Sequence, residues 1–481
     1  MQKVLMETPQ KKTHLIRGLG LTAAIMIVAG SMIGSGIFRK PATMAGQLLS
    51  PELLILVWVL AGIITFIGAL TNAEIAGMID ATGGQYVYFR KMYGDFIAFL
   101  YGWSIFAVIQ TGSQAAIAYV FAEYLGYFFK YPQLPQSMQE LSVFMPFVGK
   151  IYPFLDFGTK AVAILCILFL TSVNYLGVVF GGIVQTIVTF IKIASILILA
   201  MLLFTFGQGS LSNVYSGFQI PTETMTNLIS VIGLALAGAF WAYDGWNNVT
   251  FVAGEVKNPQ RNVPLALLYG TFIVMAVYVL INVAFLYVLP IDEMSKSPLV
   301  AATAAEKIFG VNGASIISIA VIISTFGALN GSILATARVQ FAMARDKLFF
   351  SPLGKIHPKF GTPHVSLVVQ GLWSCVLVLT GSFDTISDYV IFAAWSFYML
   401  GAAGVFVLRK KMPDVNRPYK VWGYPFVPAI FVIFSFLFLI NSLVSDTQDA
   451  AMGSILILLG LPIYIYWKYY GKNNSKNSFS S

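Results

Sequence analysis

A chain of 481 residues that is 58% hydrophobic and only 10% charged, with a mean hydropathy of +0.79, excludes an ordinary soluble domain, which carries about 25% charged residues. Only lipid solvates that much apolar surface. The net charge of +9 raises nucleic acid as a partner, and the placement of that charge along the chain then argues against it.

The start, residues 1–18, is polar and has no cleavage site before the first apolar run, so no signal peptide is expected. It reads as a cytoplasmic N-terminal segment. Twelve apolar segments come next, each near the roughly 20 residues that span a bilayer core: 19–39, 52–78, 95–128, 160–180, 183–206, 226–253, 264–290, 312–346, 365–382, 387–409, 425–446 and 450–470. The third and eighth exceed the bilayer thickness and are expected to tilt or protrude. The end, 471–481, reads as a disordered polar cytoplasmic tail.

With the N-terminus inside, 21 Lys and Arg fall in inner segments and seven in outer ones. Lys192 alone lies within a span. This asymmetry predicts an even number of helices with both termini cytoplasmic. It accounts for the basic balance without nucleic acid. Cys166 and Cys375 both sit in apolar runs, so neither reads as half of an extracellular disulfide.

Two spans contain stretches that resist helix formation. The first holds Gly30-Ser31-Met32-Ile33-Gly34-Ser35-Gly36, and the sixth holds Tyr243-Asp244-Gly245-Trp246-Asn247. They stand at the heads of two groups of five spans, 19–206 and 226–409, with 425–470 left over. Paired interruptions in corresponding positions of two halves point to a transporter site at mid-membrane. Unwinding frees backbone N–H groups, and the half-helix N-terminus adds partial positive charge, so the break favours a carboxylate. Freed carbonyls favour an ammonium. A zwitterion with both charges on one carbon suits the pair.

Gly30 and Gly34 also form a helix-packing GxxxG pair. The clustering of Gly34, Ser35 and Gly36, together with the second break, favours binding. Asp244 at mid-membrane costs at least about 2.5 kcal/mol on insertion scales. It reads either as a substrate or proton contact or as a structural tie for the turn. Trp241, directly before the break, reads as a lid. Lys192 lies too deep to snorkel and is expected inside the bundle. Asn330 is a site candidate with a helix–helix hydrogen bond as the competing account. Glu74 and Glu123 are placed near helix ends, within reach of water, and are given no role.

AGSMIGSGIF (29–38), TGGQYVYFRKMYGDFIAFLYGW (82–103), FWAYDGWNNVTFVAGEVKNPQRNVPLA (240–266), FGALNGSILATARVQFAMARD (326–346) and NRPYKVWGYP (416–425) together resemble the amino acid–polyamine–organocation superfamily. Within it they resemble the bacterial branch of the L-type amino acid transporters. The resemblance implies an all-α membrane protein of 12 transmembrane helices, with a LeuT-like five-plus-five inverted repeat and discontinuous helices 1 and 6. It implies a substrate carboxylate at Ser35 and Gly36, beside Ser31 and Gly34. The amino group goes to carbonyls around Met32, Trp241 and Asp244. Trp241 closes over the substrate, and Asn330 lies near the site. Lys192 matches a family lysine on the fifth helix, where related folds hold sodium, and this implies sodium independence. Eukaryotic members carry a cysteine between helices three and four that links to a glycoprotein. The loop 129–159 has none, so no disulfide-linked ancillary subunit is expected.

The sequence thus leads to a sodium-independent exchanger of neutral amino acids in the inner cell membrane, working by alternating access. No enzyme activity, cofactor or metal is expected: no HExxH or GxSxG motif occurs. The lipid bilayer and the amino acid are its expected partners. A proton-coupled amino acid symporter, or one for cationic amino acids or polyamines, stays open on the same fold, as does a channel or sensor.

Overall fold

The computed structural model describes residues 18–79, 84–146, 148–176, 182–217 and 224–468. Most of the expected N-terminal segment and all of the expected tail lie outside the described residues.

Each expected span falls on a helix, and polar residues set several starts. The first span is a pair, α1 (Leu21–Met32) and α2 (Gly36–Leu48), bent by 40°. Helix α3 (Pro51–Met78) begins where the Ser50 hydroxyl accepts from the Leu53 N–H and Pro51 occupies the first turn. A short α4 (Gln85–Tyr93) precedes the third span. That span runs as α5 (Asp95–Ser104), a π-helical turn (Ile105–Ile109) and α6 (Gln110–Leu125). A small hairpin, β1 (Val143–Met145) antiparallel to β2 (Gly149–Ile151), leads into α7 (Phe157–Tyr175) and α8 (Gly182–Phe206).

The second group opens with α9 (Met225–Tyr243), capped by the Thr224 hydroxyl on the Asn227 N–H, and a 3-10 run (Asn248–Glu255). Then come α10 (Pro259–Val288), α11 (Val300–Arg345), α12 (His364–Val378) and α13 (Phe383–Lys411). The last two spans are α14 (Phe426–Ser445) and α15 (Thr447–Leu458) continued by α16 (Gly460–Tyr466).

Among the described residues, ten helices are long and apolar enough to cross a membrane, and the bent α1–α2 pair makes an eleventh. The expected ninth span is α12, which has only 15 residues and so covers about 22 Å at 1.5 Å per residue. The long eighth span is not one rod: Gly310 at φ +60° breaks α11, so the membrane-length part begins after it.

Corresponding helices of the two halves pack against each other. The α1–α2 pair packs on α9 and the 3-10 run, α3 on α10, and α6 on α11. First meets sixth, second meets seventh, third meets eighth. This pairing by rank brings the two breaks together in the middle of the bundle.

Glu74 requires a correction. It is only 1% exposed, not within reach of water. Arg409 donates to both its carboxylate oxygens at 2.9 and 2.7 Å, and the Val421 N–H donates at 2.7 Å. Arg417 adds a charge at 3.4 Å. The carboxylate ties α3 to the end of α13 and the chain beyond it.

Candidate substrate site between two broken helices

The break in the first span spans Ile33 to Ser35. The last helical bond of α1 goes from the Ile33 N–H to the Ala29 carbonyl at 2.8 Å. Among the described residues, the N–H groups of Gly34, Ser35 and Gly36 have no backbone acceptor, and the carbonyls of Gly30 and Ser31 have no backbone donor. Donors at the head of α2 and acceptors at the foot of α1 are therefore freed side by side. The Ser31 and Ser35 hydroxyls carry no hydrogen bond to a described residue either.

The break in the sixth span starts at Asp244, whose extended backbone ends α9. Gly245 is next, at φ +89°, a conformation that glycine adopts without cost. The two breaks touch at glycines. A Cβ on Gly36 would lie 2.5 Å from the Ala242 Cα, and one on Gly245 would lie 3.0 Å from the Ser31 carbonyl oxygen.

Three side chains hold the breaks. The Lys192 ammonium on α8, 8% exposed, donates to the Ile33 carbonyl at 3.3 Å. The Tyr278 hydroxyl on α10 lies 2.8 Å from the Met32 carbonyl and 3.0 Å from the Ala242 carbonyl, one from each break. The Tyr398 hydroxyl on α13 donates to Asp244 at 2.6 Å.

A cavity of about 290 Å³ opens at the breaks. Of the expected site residues, Ser31, Met32, Gly34, Ser35, Gly36, Trp241 and Asp244 line it, together with Gln110 and Ser113 of α6 and Gly327, Gly331, Ser332 and Thr336 of α11. It extends past Phe251 and Val252 to Leu19, Glu255 and Arg338. Leu19 bonds through its backbone to Glu255 and Lys257, so this is the end of the bundle where the first span begins.

Two expectations change. Asn330 does not line the cavity. Its side-chain oxygen accepts from the Asn174 amide of α7 at 2.7 Å, so the helix–helix account describes it. Lys192, expected inside the bundle and apart from the substrate-binding residues, lies behind the cavity wall, against the backbone of the break. Met32 also differs from expectation in part, because its carbonyl already accepts from Tyr278.

Toward the other end, the cavity is covered in layers. Trp241 lies edge-on to Phe383, centroids 5.7 Å apart. Above the Phe383 ring sit the Lys40 ammonium at 5.2 Å and the Arg39 guanidinium at 5.7 Å. Lys40 pairs with Asp384 and Asp388, each at 3.0 Å. Arg39 pairs with Glu123 at 3.2 Å and Asp384 at 3.4 Å. The layers join α2, α6 and α13.

Sequence reasoning missed Tyr278, Tyr398, Gln110 and this charge cluster. The face of α11 was readable: Gly327, Gly331, Ser332, Ala335 and Thr336 recur at helical spacing. The tyrosines gave no signal, because a membrane span tolerates a tyrosine anywhere its hydroxyl finds a partner.

Comparisons with known proteins identify the family. The amino acid permease family matches residues 19–464. The chain is 32% identical to the serine/threonine exchanger SteT of Bacillus subtilis over 96% of its own length and 98% of that protein. It is 31% identical to the b(0,+)-type amino acid transporter 1 of Mus musculus, over 98% of this chain and 91% of the relative. It is 34% identical to the large neutral amino acids transporter small subunit 2 of Oryctolagus cuniculus, over 95% and 82%. The chain belongs to the amino acid permease family, on its L-type amino acid transporter side.

Proposed function

We propose that this permease exchanges neutral amino acids across the cell membrane without sodium, by alternating access around the two breaks. The observation that carries the proposal is the apposition at Gly36 and Gly245. It brings the sixth-span break against the first, where the N–H groups of Gly34, Ser35 and Gly36 and the carbonyls of Gly30 and Ser31 have no backbone partner among the described residues. The N–H groups at the head of α2 suit a carboxylate, and the carbonyls suit an ammonium.

Sodium independence rests on Lys192, which places a fixed cation against the Ile33 carbonyl where a bound ion would otherwise tie the fifth helix to the break. The three relatives are described as acting on serine and threonine, on b(0,+)-type substrates and on large neutral amino acids. The zwitterionic core is what such substrates share. Selectivity then lies in the side-chain compartment.

In this reading the N-terminus and C-terminus are cytoplasmic, in accord with the Lys and Arg asymmetry. The cavity then opens inward, while Trp241, Phe383 and the Arg39–Lys40 cluster close the outer side. Both cysteines lie inside helices, Cys166 in α7 and Cys375 in α12. That placement supports a transporter that works without a disulfide-linked subunit.

The test is counterflow in proteoliposomes with a panel of amino acids. Neutral amino acids are expected to exchange equally well in sodium and in choline buffer. Ser35→Trp fills the site and is expected to abolish exchange. Accumulation into vesicles without internal substrate on a pH gradient would replace exchange with proton symport.

A further inference from the structure

The third span carries a device that the zwitterionic core does not use. Its helix passes through the π-helical turn Ile105–Ile109, closed by the Gln110 N–H on the Ile105 carbonyl. Such turns add a residue to the helix and occur often at functional sites. One extra residue rotates the rest of the helix by about 100°. Neighbours hold the turn in place: the Thr111 hydroxyl donates to the Phe106 carbonyl at 2.6 Å, and the Trp373 indole donates to the Ala107 carbonyl at 2.8 Å.

The residue that the turn delivers is Gln110, 9% exposed and on the cavity wall. Its side-chain oxygen accepts from the Ser332 hydroxyl at 3.3 Å and lies 3.5 Å from the Thr336 hydroxyl. Its Nε2 group has no hydrogen-bond partner among the described residues. With its oxygen turned to Ser332, the amide offers a donor to the cavity that it lines. Beside it, Gly327 and Gly331 face open space, where an added Cβ would meet nothing within 4 Å. This part of the cavity is thus roomy and presents a donor.

We propose that Gln110 selects, among neutral amino acids, those whose side chain carries an oxygen acceptor: a hydroxyl or a carboxamide. The proposal rests on the reading of the breaks as the amino acid site. An apolar side chain of equal shape leaves the Gln110 amide without a partner when water is excluded, and a buried donor left unpaired is costly. A site built to bond a polar group therefore rejects the isostere that lacks it.

Threonine and valine are the isosteric pair that reads this. Their apparent affinities are measured by counterflow and by ligand-induced thermal stabilisation of the purified protein. Wild type is expected to favour threonine by about tenfold, the worth of one such bond. Gln110→Leu is expected to bring the ratio to about one, and Ser332→Ala, which frees the amide to turn, to lower it by a smaller factor. Equal wild-type affinities overturn the proposal without any variant, as does an unchanged ratio in Gln110→Leu. Failure of the underlying reading looks different: no amino acid would exchange or stabilise the wild-type protein at all.

Discussion

Two lysines sit close to the first break, in two regions with opposite logic. Lys40, one turn into α2, is 1% exposed and holds two carboxylates, Asp384 and Asp388, with Arg39 and Glu123 completing the cluster. Lys192, on α8, has one described partner, and that partner is the Ile33 backbone carbonyl. A buried charge with full counterions belongs to a closed structure, because parting the ions leaves them desolvated. A buried charge held by a carbonyl depends on the backbone conformation that offers it. The first region fastens helices together, and the second senses the shape of the break.

The largest effect should come from the fastened region. Lys40→Met leaves two partly buried carboxylates, Asp384 and Asp388, without their main partner and should cost about 3 kcal/mol, the low end for a buried pair because water still reaches both carboxylates. It is measured as lost thermal stability in detergent, and Asp388→Asn in the same chain should recover part of it. A neutral Lys40→Met would mean that the cluster is solvated and that the contrast fails.

The next effect separates fold from function. Lys192→Ala should lower exchange by about tenfold or more while the purified protein still unfolds cooperatively, since its partner is a carbonyl and the lost interaction is worth about 1.5–3 kcal/mol. Exchange should not become sodium dependent. A variant that unfolds like Lys40→Met would place both lysines in one class. Tyr278→Phe sharpens the same contrast more gently. It removes one hydroxyl shared by two carbonyls, worth about 0.5–1.5 kcal/mol, and should slow exchange severalfold with little change in melting temperature. Tyr398→Phe, which withdraws the donor from Asp244, is expected to have the smallest effect on neutral substrates. A change of substrate preference toward cations would instead make Asp244 a contact for the substrate side chain.

The spans were legible because length and hydropathy decide them, and each of the twelve expected segments meets a helix. The breaks were legible because Gly34, Ser35, Gly36 and Asp244 are poor choices for a lipid-facing helix. What failed was facing. Asn330 and Gly331 are neighbours in sequence but about 100° apart around the helix, so one bonds Asn174 and the other lines the cavity. Depth alone could not separate them. Glu74 failed for a related reason: its partners Arg409 and Arg417 come from the far end of the chain, and only packing brings them together. Gln110 was hidden by the π turn, which shifts the helical phase that a sequence pattern assumes.

The central claim is that the two breaks bind a carboxylate and an ammonium carried on one carbon. Competition against counterflow of a good neutral substrate tests it most directly, using that substrate beside its decarboxylated amine and its deaminated acid. The account predicts that only the intact amino acid competes, and that each analogue is weaker by about a hundredfold, the loss of a charge-assisted contact. If either analogue competes as well as the amino acid, the freed N–H groups and carbonyls of the breaks do not form the site.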